Sequence, residues 1–311
     1  TKMADTKSIK SIKKAATVII AVAVVISAII LILTDSPLLK GLENTLGRFG
    51  KVSQDAPFAV YFADVGQGDC TLLICNDKTM LIDAGENGHE SDVFNLLYSQ
   101  GIKQLDYIVV SHPHSDHIGG ISEVIDEFGC EKLYTQKLPE GTEIDAKYTW
   151  SLIEKSAERS ETEISFLSFG DSFDFGGAKV DVLGPVTIDA ENLNNSSLIL
   201  KITYGSTSFL FTADAESDEE MAMLEQNIDL KSDVLRVAHH GSKYSSSTEF
   251  LEAVSPRYAI ISVGKNNDYG HPHEQAIQRL EEYTSEIYRT DRCGTIKALS
   301  DGKNISISYD S

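Results

Sequence analysis

At 311 residues, 41% of them hydrophobic, the chain is long enough for one large domain or two small ones with a sizeable core. It carries 27 basic and 47 acidic residues. Five lysines (Lys2, Lys7, Lys10, Lys13, Lys14) and a single acid (Asp5) fall in residues 1–33, so the remainder holds a net charge of about −24. A body that acidic repels phosphate backbones at long range, which argues against a protein that grips DNA non-specifically. It leaves room for nucleic acid held at a metal ion, whose field dominates locally.

The first segment, 1–14, reads as a basic cytoplasmic N-terminus. Residues 15–33 form 19 positions that are apolar except for Thr17 and Ser27. That matches the length of a membrane-crossing helix. Lysines lead it and Asp35 follows, so the positive-inside rule places the rest of the chain outside the plasma membrane. The competing reading is a cleaved signal peptide and a secreted product. The run is longer than a usual signal core and no A-x-A site follows it directly, which favours a single-pass anchor. Residues 34–57 read as a stalk, with leucines at helical spacing (Leu38, Leu39, Leu42, Leu46), and residues 58–311 as the main folded domain.

From Phe58 onward, β-rich runs alternate with turns and helical stretches. FAVYFADV, CTLLIC, TMLIDAG, DYIVVSH, KVDVLGP, SLILKITYG, TSFLFTAD, DVLRVAHH, RYAIISVG, IYRT and NISISYD read as strands. Helical spacing falls at 91–101, 119–128, 145–160, 216–227, 246–254 and 273–284. Strands paired first and then alternating with helices predict an α/β fold of sheets covered by helices. Cys70, Cys75, Cys130 and Cys293 are scattered without CxxC spacing, so they offer no zinc site and read as small buried residues with free thiols.

The chemistry concentrates in SHPHSDHIGG (111–120). Between an apolar strand and a helix expected to begin near Gly119 lie His112, His114, Asp116 and His117. Three imidazoles and a carboxylate in six residues suit borderline-soft divalent ions. His112 and His114 could face one ion, Asp116 and His117 a second. Further donors sit at strand ends: Asp214 after TSFLFTA, His239 and His240 in AHHGS, and Asp83 beside Gly85. Alone, each end-of-strand acid is as readily a turn former. Parallel strands present their carboxyl ends on one edge, which would bring the set together.

This pattern resembles the metallo-β-lactamase superfamily, whose signature is HxHxDH, here at 112–117. It is closest to the branch containing the soluble domain of the ComEC-type competence proteins. FADVGQGDC (62–70), LIDAG (81–85), NNSSLIL (194–200), FTADA (211–215), AHHGS (238–242) and YGHP (269–272) carry that likeness. The resemblance implies an αββα four-layer sandwich, here preceded by one transmembrane helix, and two divalent ions, zinc or else manganese. By it, His112 and His114 bind one metal and Asp116 and His117 the other; Asp214 bridges them. His240 completes the ligand set of the second metal, and His239 touches phosphate or leaving group. Asp83 orients a ligand imidazole. Many family members have a histidine just before the bridging carboxylate's strand; this chain has none there, so Asn194 or Asn195 (or water) takes its place. His271, in a Gly-His-Pro turn, is read either as an acid or phosphate clamp or as an exposed loop residue, His273 as the start of a helix, and His89 as surface.

The expected activity is metal-dependent hydrolysis through a metal-bridging hydroxide, with Asp116, His239 and His271 as catalytic residues. The branch resemblance favours a phosphodiester substrate, either DNA or an envelope polymer such as teichoic acid; the single anchor and acidic surface favour an envelope phosphodiester or a small molecule. The alternative is an extracellular nuclease associated with DNA uptake. A reading of a different class is a non-catalytic metal-binding partner domain of the envelope.

Overall fold

A computed structural model describes residues 56–309. The expected basic N-terminus (1–14), the anchor (15–33) and all but the last two residues of the stalk (34–57) lie outside these residues. Among the described residues no helix is long and apolar enough to cross a membrane.

The first sheet begins with β1 (Phe58–Phe62), β2 (Thr71–Cys75), β3 (Lys78–Ile82), β4 (Leu105–Val109), β5 (Cys130–Thr135) and β6 (Glu163–Phe166). The second takes β7 (Ser172–Phe175), β8 (Ala178–Gly184), β9 (Ile199–Tyr204), β10 (Thr207–Phe211), β11 (Val234–Arg236), β12 (Tyr258–Ile261) and β13 (Glu286–Arg289). The chain then returns to the first sheet with β14 (Ile296–Ser300) and β15 (Ile305–Tyr309). Strand order is β15-β14-β1-β2-β3-β4-β5-β6 in one sheet and β13-β12-β11-β10-β9-β8-β7 in the other.

The apolar run FAVYF shows why the sheets face each other. Successive side chains of a strand point to opposite faces. Phe58, Val60 and Phe62 enter a core shared with Phe175, Phe209 and Phe211 of the second sheet. Ala59 and Tyr61 face the other way, into a core roofed by α1 (Glu90–Ser99), α3 (Ile121–Phe128) and α4 (Lys147–Arg159). A third core lies between the second sheet and α5 (Ser217–Glu225), α6 (Thr248–Val254) and α7 (Glu274–Tyr283), through Met223, Phe250, Leu251 and Leu280. Three apolar layers thus separate helix, sheet, sheet and helix. Strands buried on both faces read as continuous apolar runs, as these do.

Both sheets are mixed, and their parallel halves matter most. β3, β4 and β5 run parallel in the first sheet, and β10, β11, β12 and β13 in the second. Their carboxyl ends carry Asp83, Ser111 to His117, Asp214 and His239 to His240. The expected convergence of strand ends is therefore physical.

Two local expectations need correcting. The helix expected near Gly119 starts earlier: α2 (Ser115–Ile118) already holds Asp116 and His117, and α3 follows after Gly119 and Gly120. A Cβ on Gly119 would stand 2.3 Å from the Asn87 nitrogen and one on Gly120 2.6 Å from the Ala84 carbonyl. The two glycines let this connection press on the loop after β3. The segment CEKLYT, too polar to read as a strand, is β5, with its buried positions alternating irregularly. All four cysteines are free thiols.

Glu219 on α5 is buried, 4% exposed, and its Oε1 accepts from the Val186 N–H at 2.7 Å. Burial pushes its carboxyl up to about 7, against the lowering effect of that hydrogen bond. Below about pH 4.5 the group is protonated in both folded and unfolded chains and costs nothing. Between that value and 7 the unfolded chain releases the proton first, so stability falls as pH rises, and the deficit is full above 7. Glu219→Gln keeps the acceptor for Val186. It should raise the melting midpoint by roughly 5 °C at pH 8 and leave it unchanged at pH 4.5; an equal shift at both pH values would contradict this.

Candidate metal centre

After β4 the chain turns sharply through His112 and His114 into α2. His112 is fully buried, and its Nε2 lies 3.0 Å from His114 Nδ1. The His112 and His117 rings are 4.2 Å apart. Behind them, Asp83 accepts hydrogen bonds from the Ser111 N–H (2.9 Å) and Ser111 hydroxyl (2.6 Å). Its Oδ2 also lies 2.8 Å from His117 Nδ1. A proton held at Nδ1 leaves His117 Nε2 as the lone pair facing forward.

From the second sheet come Asp214, at the end of β10, and the pair His239–His240, after β11. Both histidines hold left-handed backbone (φ +50° and +54°), as do Ala213 (+44°) and Asp83 (+58°). Non-glycine residues in this region carry strain, and the concentration of four such positions at one sheet edge marks a functional site. His240 Nδ1 lies 2.8 Å from the Ser262 carbonyl, so Nε2 turns toward Asp116 Oδ2 (3.2 Å) and Asp214 Oδ2 (3.6 Å). His239 takes a different position: Nδ1 is 3.3 Å from Glu216 and Nε2 is 3.8 Å from Asp214.

The donors of Asp116, His117, Asp214 and His240 all lie within 4.8 Å of one another. His112 and His114 adjoin this group through His117 but are not members of it. His117 Nε2 and Asp214 Oδ1 face each other at 3.2 Å, and both are buried without a hydrogen-bond partner. Buried polar atoms are rarely left so. Two lone-pair atoms aimed at a common point fit a cation between them. Charge supports the same fit. Burial alone would raise the Asp214 carboxyl, yet the imidazoles of His117 and His240 hold it well below the usual carboxylate range. Burial would likewise lower His117, but Asp214, Asp116 and Asp83 push it well above its ordinary value. The site is a trap for positive charge, and an ion would take the place of that proton.

A cavity of about 230 Å³ opens over these residues, lined also by Gln67, His114, Asp145, Asn194, Tyr269 and His271. His271 Nδ1 is buried and unpartnered, with its ring 5.4 Å from His239. Burial first, then His240 and His239, push it down to about 4, so it enters the cavity as a neutral imidazole at pH 7. Of the two asparagines, Asn194 lines the cavity; Asn195 turns away, and its Oδ1 accepts from the Glu216 N–H at 3.0 Å. His273 flanks α7, its Nδ1 accepting from the Lys243 N–H. His89 is exposed and pairs with Asp92.

Sequence reasoning passed over Arg236, Asp69 and Gln67. Arg236 is 1% exposed and sits 2.7 Å from Asp69 and 3.8 Å from Asp214 Oδ1, bracing the site from behind. Its signal was an arginine inside the otherwise apolar strand DVLRV.

Residues 63–265 match the family model described as the metallo-beta-lactamase superfamily. The chain belongs to that superfamily. ComE operon protein 3 of Bacillus subtilis is 33% identical over 75% of this chain and 32% of its own length. The chain thus spans about a third of that relative. An exodeoxyribonuclease of Bacillus anthracis, YycJ, is 25% identical over 50% of this chain and 61% of its own. Among solved structures, the metallo-beta-lactamase fold protein YhfI of Bacillus subtilis superposes with a TM-score of 0.51 at 14% identity, over 81% of this chain and 100% of that one, a likeness of fold alone. The metallo-β-lactamase fold and the His/Asp site together fit a metal-dependent hydrolase.

Asp83 offers a clean test of the centre. Asn tolerates the left-handed backbone at 83 but places an amide against His117 Nδ1. Asp83→Asn should weaken divalent-metal affinity roughly 10- to 100-fold with the fold intact, as read by competition with a chromophoric chelator. Unchanged affinity would show that Asp83 does not support the centre.

Proposed function

We propose that the chain is a two-metal phosphodiesterase of the cell envelope, held outside the plasma membrane by the 15–33 anchor. The observation that carries this reading is the gathering of Asp116, His117, Asp214 and His240, with two orphaned donor atoms between sheets, under a polar cavity. His112 and His114 would hold one ion, and Asp116, His117 and His240 the other, with Asp214 between them. Imidazole and carboxylate together suit zinc, with manganese as the alternative. Divalent ions bound there supply Lewis-acid polarisation of a phosphoryl oxygen and a water acidic enough to attack near neutral pH.

The chain's own residues do the rest. Asp83 fixes the tautomer and direction of His117. Asp116, half-buried at the cavity floor, orients the attacking water. Glu216 holds His239 by Nδ1, so Nε2 faces the cavity and can hand a proton to the leaving-group oxygen. His271 closes over the substrate as a neutral clamp. Asn195 holds the Glu216 backbone, and with it the loop of Asp214, in register.

Substrate choice follows from charge. Among the described residues no lysine or arginine lines the cavity, and a neighbouring cleft of about 620 Å³, sharing His114 and Asp145, is rimmed by Glu140, Glu143 and Glu191. Such a rim repels any long polyanion, teichoic acid and DNA alike, and tolerates a compact diester, which favours a small molecule or the terminal unit of an envelope polymer. DNA is the second reading, favoured by the exodeoxyribonuclease relative and by the strings shared with the competence branch.

Full-length chain loaded with zinc or manganese should hydrolyse bis-p-nitrophenyl phosphate, lose that activity with a chelator, and drop at least about 100-fold on Asp214→Ala with folding kept. A compact glycerol phosphodiester, or the terminal unit of teichoic acid, should be cleaved in preference to single-stranded DNA. Faster release of nucleotides from DNA would replace the envelope substrate by the nuclease reading, and a metal-loaded but inert chain would contradict both.

A further inference from the structure

The string DVGQGD (64–69) sets one glutamine between two glycines, and its surroundings show what that glutamine is for. Gly66 (φ +73°) and Gly68 (φ +134°) hold backbone that favours glycine. A Cβ on Gly68 would stand 2.4 Å from the Asp116 carbonyl oxygen, which accepts from the Asp69 N–H at 3.0 Å. On the other side, a Cβ on Gly264 would stand 2.5 Å from the Gln67 nitrogen. Three glycines therefore let Gln67 slot between α2, which carries Asp116, and the loop that follows β12. The side chain between them lines the cavity with Asp116, Asp214, His240 and His271.

The carboxamide is oriented. Gln67 Oε1 accepts from the Gly264 N–H at 3.2 Å, which fixes which end is which. Nε2, at the other end of a side chain that lines the cavity, is shielded from water and has no hydrogen-bond acceptor among the described residues. Such a donor is costly to leave unmade. Among the described residues no lysine or arginine lines the cavity to serve there as a substrate-oxygen donor.

We propose that Gln67 is a catalytic residue whose Nε2–H donates a hydrogen bond to a non-bridging oxygen of the phosphodiester, where negative charge gathers during displacement. The inference rests on the phosphodiesterase reading. Gln67 gives up no proton in the step; it supplies a fixed dipole in a water-poor wall, where such donors act most strongly. The glycines around it are what hold that dipole in place.

Two variants of the full-length, metal-loaded chain test this. Gln67→Glu keeps the shape and the acceptor for Gly264 but removes the donor; Gln67→Met keeps the length and removes both. Each should retain metal content and melting midpoint, lose roughly 10- to 100-fold in kcat/KM on bis-p-nitrophenyl phosphate, mainly in kcat, and bind inorganic phosphate roughly 10-fold more weakly by calorimetry. A variant that folds, keeps its metal and matches the wild-type kcat/KM and phosphate affinity overturns the proposal. If the wild-type chain binds phosphate but does not turn over the ester, the phosphodiesterase reading fails, while the phosphate arm still decides whether Gln67 is an oxygen donor.

Discussion

The arrangement of the site depends on one burden, the charge of Asp214 in a place almost closed to water. Withdrawing a carboxylate from solvent costs several kcal/mol unless opposite charge and hydrogen bonds meet it. Around Asp214 they come from every side: the Arg236 guanidinium behind, the rings of His117 and His240 in front, and the Ser197 hydroxyl, which accepts from the Asp214 N–H at 3.2 Å and pins its backbone. Still, one carboxylate oxygen and one imidazole nitrogen remain unmatched. A divalent ion would satisfy both.

The two sheets are joined at this edge as well as through their core. Arg236 stands on the second sheet, and Asp69, its partner, leads into β2 of the first. The same guanidinium donates to the carbonyls of Ala213 and Val237, which flank the second sheet's donors. Asp69 in turn takes the Asp116 carbonyl through its backbone N–H. Displacing any one of these loops moves the others, because the connection is a buried ion pair and a chain of main-chain bonds with little slack. Backbone strain at Asp83, Ala213, His239 and His240 is tolerable only in a frame braced this way.

Much of this was legible in the sequence because metal donors must cluster. HxHxDH at 112–117 and AHHGS at 238–242 stood out by composition, and the apolar strands before them located the edge where they meet. Composition could not tell His240 from His239; in the structure they differ in partner, the Ser262 carbonyl for one and Glu216 for the other. The structure also places Asn194 at the cavity and turns Asn195 aside. What stayed hidden were residues whose meaning depends on a distant partner. Arg236 has no role until Asp69 is seen against it, and Gln67 none until Gly264 and Asp116 enclose it. β5 was hidden for a related reason: its polar residues sit on a sheet whose neighbours, not its own pattern, make it a strand.

The account stands most directly on where ions bind. Anomalous diffraction from crystals of the zinc-loaded chain should place two ions about 3.5–4 Å apart. Asp214 should lie between them, with His117 and His240 within about 2.0–2.2 Å of one ion and His112 and His114 near the other. Zinc bound away from Asp214, with His117 Nε2 and Asp214 still facing each other directly, would contradict it.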